Sequence, residues 1–157
     1  MKRALLAGVL ATIALAAIPT HASAASGCNT AGPDRSRWIG NGIPFLESYH
    51  TWKCVAYTAG DTEEIIPQGR LNAGTSWFVC QKQWIGYDNP PVGSARNNWW
   101  LYTLADVAYP SGWNGGWGWF PATKIQGGAN WGRIPGRLPN CDTISGSFVT
   151  ASPPYGA

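Results

Sequence analysis

Few side chains in this sequence are able to do acid–base work. His50 lies in ESYHTW, three residues after Glu47 and two after Ser48, so a base, a carboxylate and a hydroxyl are close along the chain. A serine triad needs its nucleophile on a strained turn, and no G-x-S-x-G segment is present. A lone histidine near a strand start is ordinarily a surface or capping residue. The second option is a carboxylate pair. Asp61, Glu63 and Glu64 fall together in GDTEE, while Glu47, Asp88, Asp106 and Asp142 are scattered. Two carboxyl groups roughly 5–9 Å apart across a glycosidic bond would suit sugar hydrolysis. A solvated acidic loop is the plainer expectation for such a run. There is no Walker loop, and the glycines around Trp113–Trp119 precede a strand pattern, not a helix, so no dinucleotide fingerprint exists. The sequence predicts no catalytic residue and no cofactor.

Cys28, Cys54, Cys80 and Cys141 carry the remaining chemistry. No C-x-x-C spacing occurs, so a metal site is not expected. An even cysteine count in an exported chain points to two disulfides, and four cysteines allow three pairings. Sequential pairing, Cys28–Cys54 and Cys80–Cys141, is expected because each bond then ties the ends of one segment. No thiol would be left as a nucleophile.

Export is predicted from the N-terminus. Lys2 and Arg3 precede an apolar run from Ala4 to Ile18, followed by Pro19 and the small-residue site Ala22-Ser23-Ala24. That order is the pattern of a secretory signal peptide over residues 1–24. The run is shorter than the ~20 residues needed to span a bilayer, so no membrane association is expected after cleavage. Removing the first 24 of 157 residues leaves 133, enough for one compact domain. Lys2 and Arg3 leave with it, so 11 basic against 8 acidic residues become 9 against 8. No basic cluster survives, which argues against a nucleic-acid partner.

The elements that would position any site are strands. Glycine and proline recur throughout, and no segment holds a helical apolar period for three turns. WKCVAYT (52–58), SWFVCQKQW (76–84), NWWLYT (98–103) and WGWFPA (117–122) are short, aromatic and bounded by turn formers. Residues 59–74 are expected as a long acidic excursion, 85–97 as extended or turn backbone around Asn89-Pro90-Pro91, and 108–116 as a hairpin tip. Residues 25–70 form an N-terminal extension and first strand, with Trp38 and Phe45 as aromatic spots. The tail 142–157 is expected to fray.

Alternation sorts the aromatic ribbon. Trp100, Tyr102 and Leu104 share one strand face, with Trp99 and Leu101 on the other. Trp117 and Trp119 share a face opposite Gly118 and Phe120. A small barrel cannot bury both faces of every strand, and tryptophan is seldom fully hidden. The surplus rings are expected to face outward.

The segment NNWWLYTLADVAYPSGWNGGWGWFPATKI resembles the core of SH3-like domains: a paired-Trp strand (Trp99-Trp100), a hairpin, Gly116 or Gly118 before Pro121, and a short turn ending in the aliphatic Ile125. Residues 71–141 as a whole are similar to secreted, disulfide-closed SH3-type domains of actinobacteria, through Val79-Cys80-Gln81 near the start and Ile134-Pro135-Gly136 before Cys141. The resemblance implies a ligand-binding module, not a catalyst, with Trp99 and Pro121 in its groove. The family's tyrosine after that proline is replaced here by Thr123 or Lys124. The acidic tyrosine-rich first loop is also missing. Both departures point away from proline-rich peptides, while the resemblance to bacterial domains implies cell-wall peptides.

The expected molecule is therefore a secreted, all-β, disulfide-stapled domain with a small SH3-like barrel at 71–141. Its expected contact surface is Trp99, Trp113, Trp117, Trp119 and Tyr87, with Pro121 beside Trp99. Flat rings suit a peptidoglycan peptide or glycan, or an extracellular protein. The rival expectations are a secreted cell-wall hydrolase using the acidic segment and an extracellular inhibitor or effector.

Overall fold

The computed structural model describes residues 27–39, 45–144 and 151–155. The expected signal peptide lies outside the described residues. Eleven strands and two 3₁₀ turns make up the regular structure among the described residues: β1 (Thr30–Ala31), β2 (Arg35–Ile39), β3 (Phe45–Tyr49), β4 (Trp52–Ala56), β5 (Gly60–Glu64), β6 (Ile66–Leu71), β7 (Gly74–Phe78), β8 (Cys80–Gln83), β9 (Trp99–Leu104), β10 (Val107–Ala108) and β11 (Trp117–Pro121), with turns at Ala122–Lys124 and Cys141–Thr143. The protein is all-β and is closed by the disulfides Cys28–Cys54 and Cys80–Cys141, the sequential pairing expected.

Three sheets organise these strands. A six-stranded antiparallel sheet runs β10-β6-β5-β11-β9-β8, a three-stranded one runs β1-β4-β7, and β2 pairs with β3 as a separate hairpin. The strand 74–83 serves two sheets. It pairs with β4 up to Phe78, and from Cys80 it pairs with β9. Val79 N–H, donating to Tyr102 O at 2.9 Å, marks the crossing point.

Residues 59–74 are not an excursion. They form the hairpin β5–β6, and β5 is an interior strand of the large sheet, between β6 and β11. Its buried positions are polar, so it lacks the apolar alternation of an ordinary half-buried strand. Thr62 Oγ1 donates to Gly116 O at 2.9 Å, and buried Gln68 donates through Nε2 to Ile66 O at 2.9 Å. The same glutamine's Oε1 accepts from the backbone N–H groups of Trp113 and Asn114. Buried polar groups that are fully paired hold a strand as well as aliphatic ones do. Gly118 permits the close approach of β11, since a Cβ there would lie 2.9 Å from the Glu63 backbone. The large sheet thus draws strands from both sides of residue 70.

The two faces of β9 and β11 enter different cores, as alternation predicts. Leu101 and Phe120 join Phe78, Leu71, Ile134, Leu138 and the Cys28–Cys54 bridge, with Trp99 packed at the edge. Trp100, Tyr102, Trp117 and Trp119 join Tyr49, Val79, Ala151 and the Cys80–Cys141 bridge. At ~25 cal/mol per Å² of apolar surface removed from water, each large ring in these cores contributes several kcal/mol.

Candidate functional site

The expected contact surface is dispersed. Trp119 is completely buried, and Trp117 and Pro121 are buried as well. These three positions are corrected from surface to core. Trp99 and Tyr87 are half-buried, Trp99 against the first core and Tyr87 edge-on to Trp84 at 6.2 Å. Of the expected rings, Trp113 stands mostly in solvent, at 62% exposure on the tip between β10 and β11.

The surplus of indole does leave the inner core, but other segments of the chain cover it. On one side lies the β2–β3 hairpin. Arg35 sits 4.9 Å from the Trp77 ring, and Arg37 sits 5.5 Å from Tyr102 and 5.7 Å from Trp117. Such stacked guanidinium groups shield a ring while their heads stay hydrated. On another side lies the end of the chain, where Trp119 Nε1 donates to Ser152 O at 2.9 Å and Ala151 and Pro154 are buried. The expected fraying of the tail is therefore corrected for residues 151–155. Its order depends on contacts with β5 and β11 that lie far away in sequence.

A cleft of about 210 Å³ with a mixed polar and apolar lining opens on a different part of the molecule, lined by Tyr57, Arg96, Thr123, Ile125, Gln126 and Asn130 among others. The 3₁₀ turn after β11 forms its floor. Thr123, standing where the SH3 tyrosine is expected, is buried and bonded to Asn89 Oδ1 and Pro90 O. Tyr57 bridges the rim, its hydroxyl donating to Thr123 O. The far wall is a pair of loops pinned together. Arg96 N–H donates to Asn130 Oδ1, Asn97 Nδ2 donates to Ala129 O and Gly132 O, and Trp131 N–H donates to Arg96 O at 2.9 Å.

Trp131, next in the chain to Asn130, was not among the expected site residues. It has φ of 59° and 52% exposure. A bulky residue in the left-handed region costs about 1–3 kcal/mol, and such strain concentrates at functional sites. Burial of the ring would offset that cost, yet half of it faces water. The turn-rich context GGANWGR was the signal that could have singled it out.

The acidic residues are more constrained than a solvated loop would be. Burial, with Asp61 adding to it and Lys124 opposing it, pushes the Glu63 carboxyl up to about 7. Its Oε2 atom is buried with no hydrogen-bond partner among the described residues. Burial also raises the Glu64 carboxyl, against hydrogen bonds from Ser152 N–H and Asn114. Tyr102, whose hydroxyl accepts from Arg37, is pushed by burial up to about 12. His50 is almost fully exposed and meets Asp34 at 2.8 Å, and among the described residues no nucleophile is bonded to it.

Glu63 gives a pH prediction. A carboxyl whose value rises from 4.5 to about 7 on folding holds its proton more tightly in the folded chain. Stability is then greatest near and below pH 4.5 and declines as pH rises through about 7. Glu63→Gln is expected to exceed the parent at pH 8 by on the order of 1–2 kcal/mol, after screening by its partial solvent contact. It should also shrink the decline between about pH 5 and 7, leaving the part due to Glu64. Urea midpoints of both proteins across that range check this.

No protein-family model, curated protein or solved structure matches the chain.

Proposed function

We propose that the protein is an exported, non-catalytic binding module of SH3-like architecture that holds a cell-wall peptide or glycan in the cleft between Tyr57, Arg96 and Gln126. The SH3-like part of this reading draws support from the way β11 leads back to β4. The Ala56–Ile125 bridge, Gln126 N–H to Val55 O at 2.8 Å and Tyr57 N–H to Lys124 O at 3.1 Å join the turn after β11 to β4. From β4, pairing passes through strand 74–83 to β9 and back to β11. The two disulfides suit an oxidising compartment.

The observation that carries the binding role is Trp131: strained, half exposed and joined through its main chain to Arg96, which lines the cleft. An exposed flat ring suits sugars and peptide backbones. Glycine tolerates the left-handed conformation without strain. Trp131→Gly is therefore expected to leave the melting temperature unchanged or raised, while weakening sedimentation with purified peptidoglycan at least tenfold. Equal binding by parent and variant would remove the cleft from the proposal.

One observation favours hydrolysis as a second reading. Glu63, partly buried and pushed up to about 7, has the protonation behaviour of a general acid. The same incubation separates the two. Wall-bound protein with no soluble fragments marks a binder. Fragments released by the parent and not by Glu63→Gln mark a hydrolase.

A further inference from the structure

Residues 151–155, Ala-Ser-Pro-Pro-Tyr, lie against β5 and β11 as a bound peptide would. Ser152 N–H donates to Glu64 Oε1 at 2.9 Å, and Ser152 O accepts from Trp119 Nε1 at 2.9 Å. Pro153 O accepts from Ile65 N–H at 2.8 Å. Three main-chain groups in two residues are thus read by the body of the domain. Ile65 is held at φ of 62°, a conformation β-branched residues avoid, and its N–H is the one that meets the tail.

The donor pattern selects proline. Ser152 N–H meets the Glu64 carboxylate, and the two residues that follow, Pro153 and Pro154, have no N–H. Pro154 is buried, so an ordinary residue there would bring an extra buried donor needing a partner. Ile65, whose N–H meets the segment, and its neighbour Ile66 remain exposed apolar residues.

We propose that this groove is a peptide-recognition site closed in cis by residues 151–155, and that its partner is a protein presenting an extended Ser-Pro-Pro-aromatic segment that takes the tail's place. It is separate from the cleft beside Trp131 and from the groove expected at Trp99 and Pro121. A segment held in cis competes at an effective concentration on the order of mM, so the site is masked until the tail is weakened. Recognition is mainly of the peptide main chain, with proline setting specificity.

The test uses full-length protein and the acetylated peptide Ala-Ser-Pro-Pro-Tyr-Gly-Ala, followed by the indole N–H resonances of Trp119 and Trp113. Pro154→Asp should expel the tail, because a charge is not tolerated at that buried position. Pro153→Gly with Pro154→Gly loosens the tail without adding charge. In either variant the peptide is expected to restore the parent Trp119 signal at a concentration at least tenfold lower than any response of the parent. The peptide Ala-Ser-Ala-Ala-Tyr-Gly-Ala should be at least tenfold weaker. The proposal is overturned if the peptide leaves Trp119 unchanged in both variants, or if the proline-free peptide binds equally. It is also overturned if the parent self-associates through tail exchange, which would make a second copy the occupant.

Discussion

Trp119→Ala is expected to lower the unfolding free energy by about 3–5 kcal/mol, the range for emptying a fully buried aromatic site. The ring has no accessible surface and packs edge-on to Tyr102 at 4.9 Å and Trp84 at 5.5 Å. Its truncation leaves a cavity bounded by stiff neighbours, and the Ser152 carbonyl loses its donor. Trp119→Phe keeps most of the packing and is expected to cost less, with about 1 kcal/mol of its loss from the missing hydrogen bond. Trp113→Ala, at an exposed tip, should stay within about 0.5 kcal/mol of the parent. Equilibrium urea unfolding of the three variants measures these differences. Near-equal losses at 113 and 119 would refute the division into core and surface.

Removing the Cys80–Cys141 bridge by paired alanine substitution is expected to cost about 4 kcal/mol. The bond spans a sequence separation of 61 residues, and constraining a loop that long in the unfolded chain accounts for a loss of that size. Cys28–Cys54, with a separation of 26, should cost about 3.5 kcal/mol on the same basis. Either loss is a large fraction of the roughly 5–15 kcal/mol that holds a domain together. Both bridges are also buried in the cores, so the alanines lose packing as well. Urea unfolding under non-reducing conditions should rank the two variants in that order. No change on removing Cys80–Cys141 would show that the C-terminal segment is held without it.

What was legible in the sequence was local. The faces of β9 and β11 followed from period-2 alternation, because Leu101 and Phe120 differ from Trp100 and Trp119 only in which side of the pleat they occupy. Sequential disulfides were expected because each bond then ties the ends of one segment, and that is the pairing formed. The β5–β6 hairpin was not legible, since Thr62, Glu64 and Gln68 fill inward positions that aliphatic residues usually take. Their fitness for burial depends on Gly116, Trp113, Asn114 and Ser152, which are distant along the chain. The excess of indole was expected to face outward because both strand faces could not be buried, yet β11 is buried along its whole length. The fold accommodates the excess with a second core under the β2–β3 hairpin and residues 151–155, leaving Trp113, Trp131 and Trp38 to face solvent.

That division of the tryptophans underlies every functional proposal above, and indole hydrogen exchange followed residue by residue in the full chain tests it most directly. The Trp119 and Trp100 N–H groups, bonded to Ser152 O and Tyr87 O, should exchange slowly, while those of Trp113 and Trp131 exchange quickly. Added wall fragments should slow exchange at Trp131 and leave Trp119 unaltered. A Trp119 indole exchanging as fast as that of Trp113, or wall fragments protecting Trp119 in place of Trp131, would contradict the account.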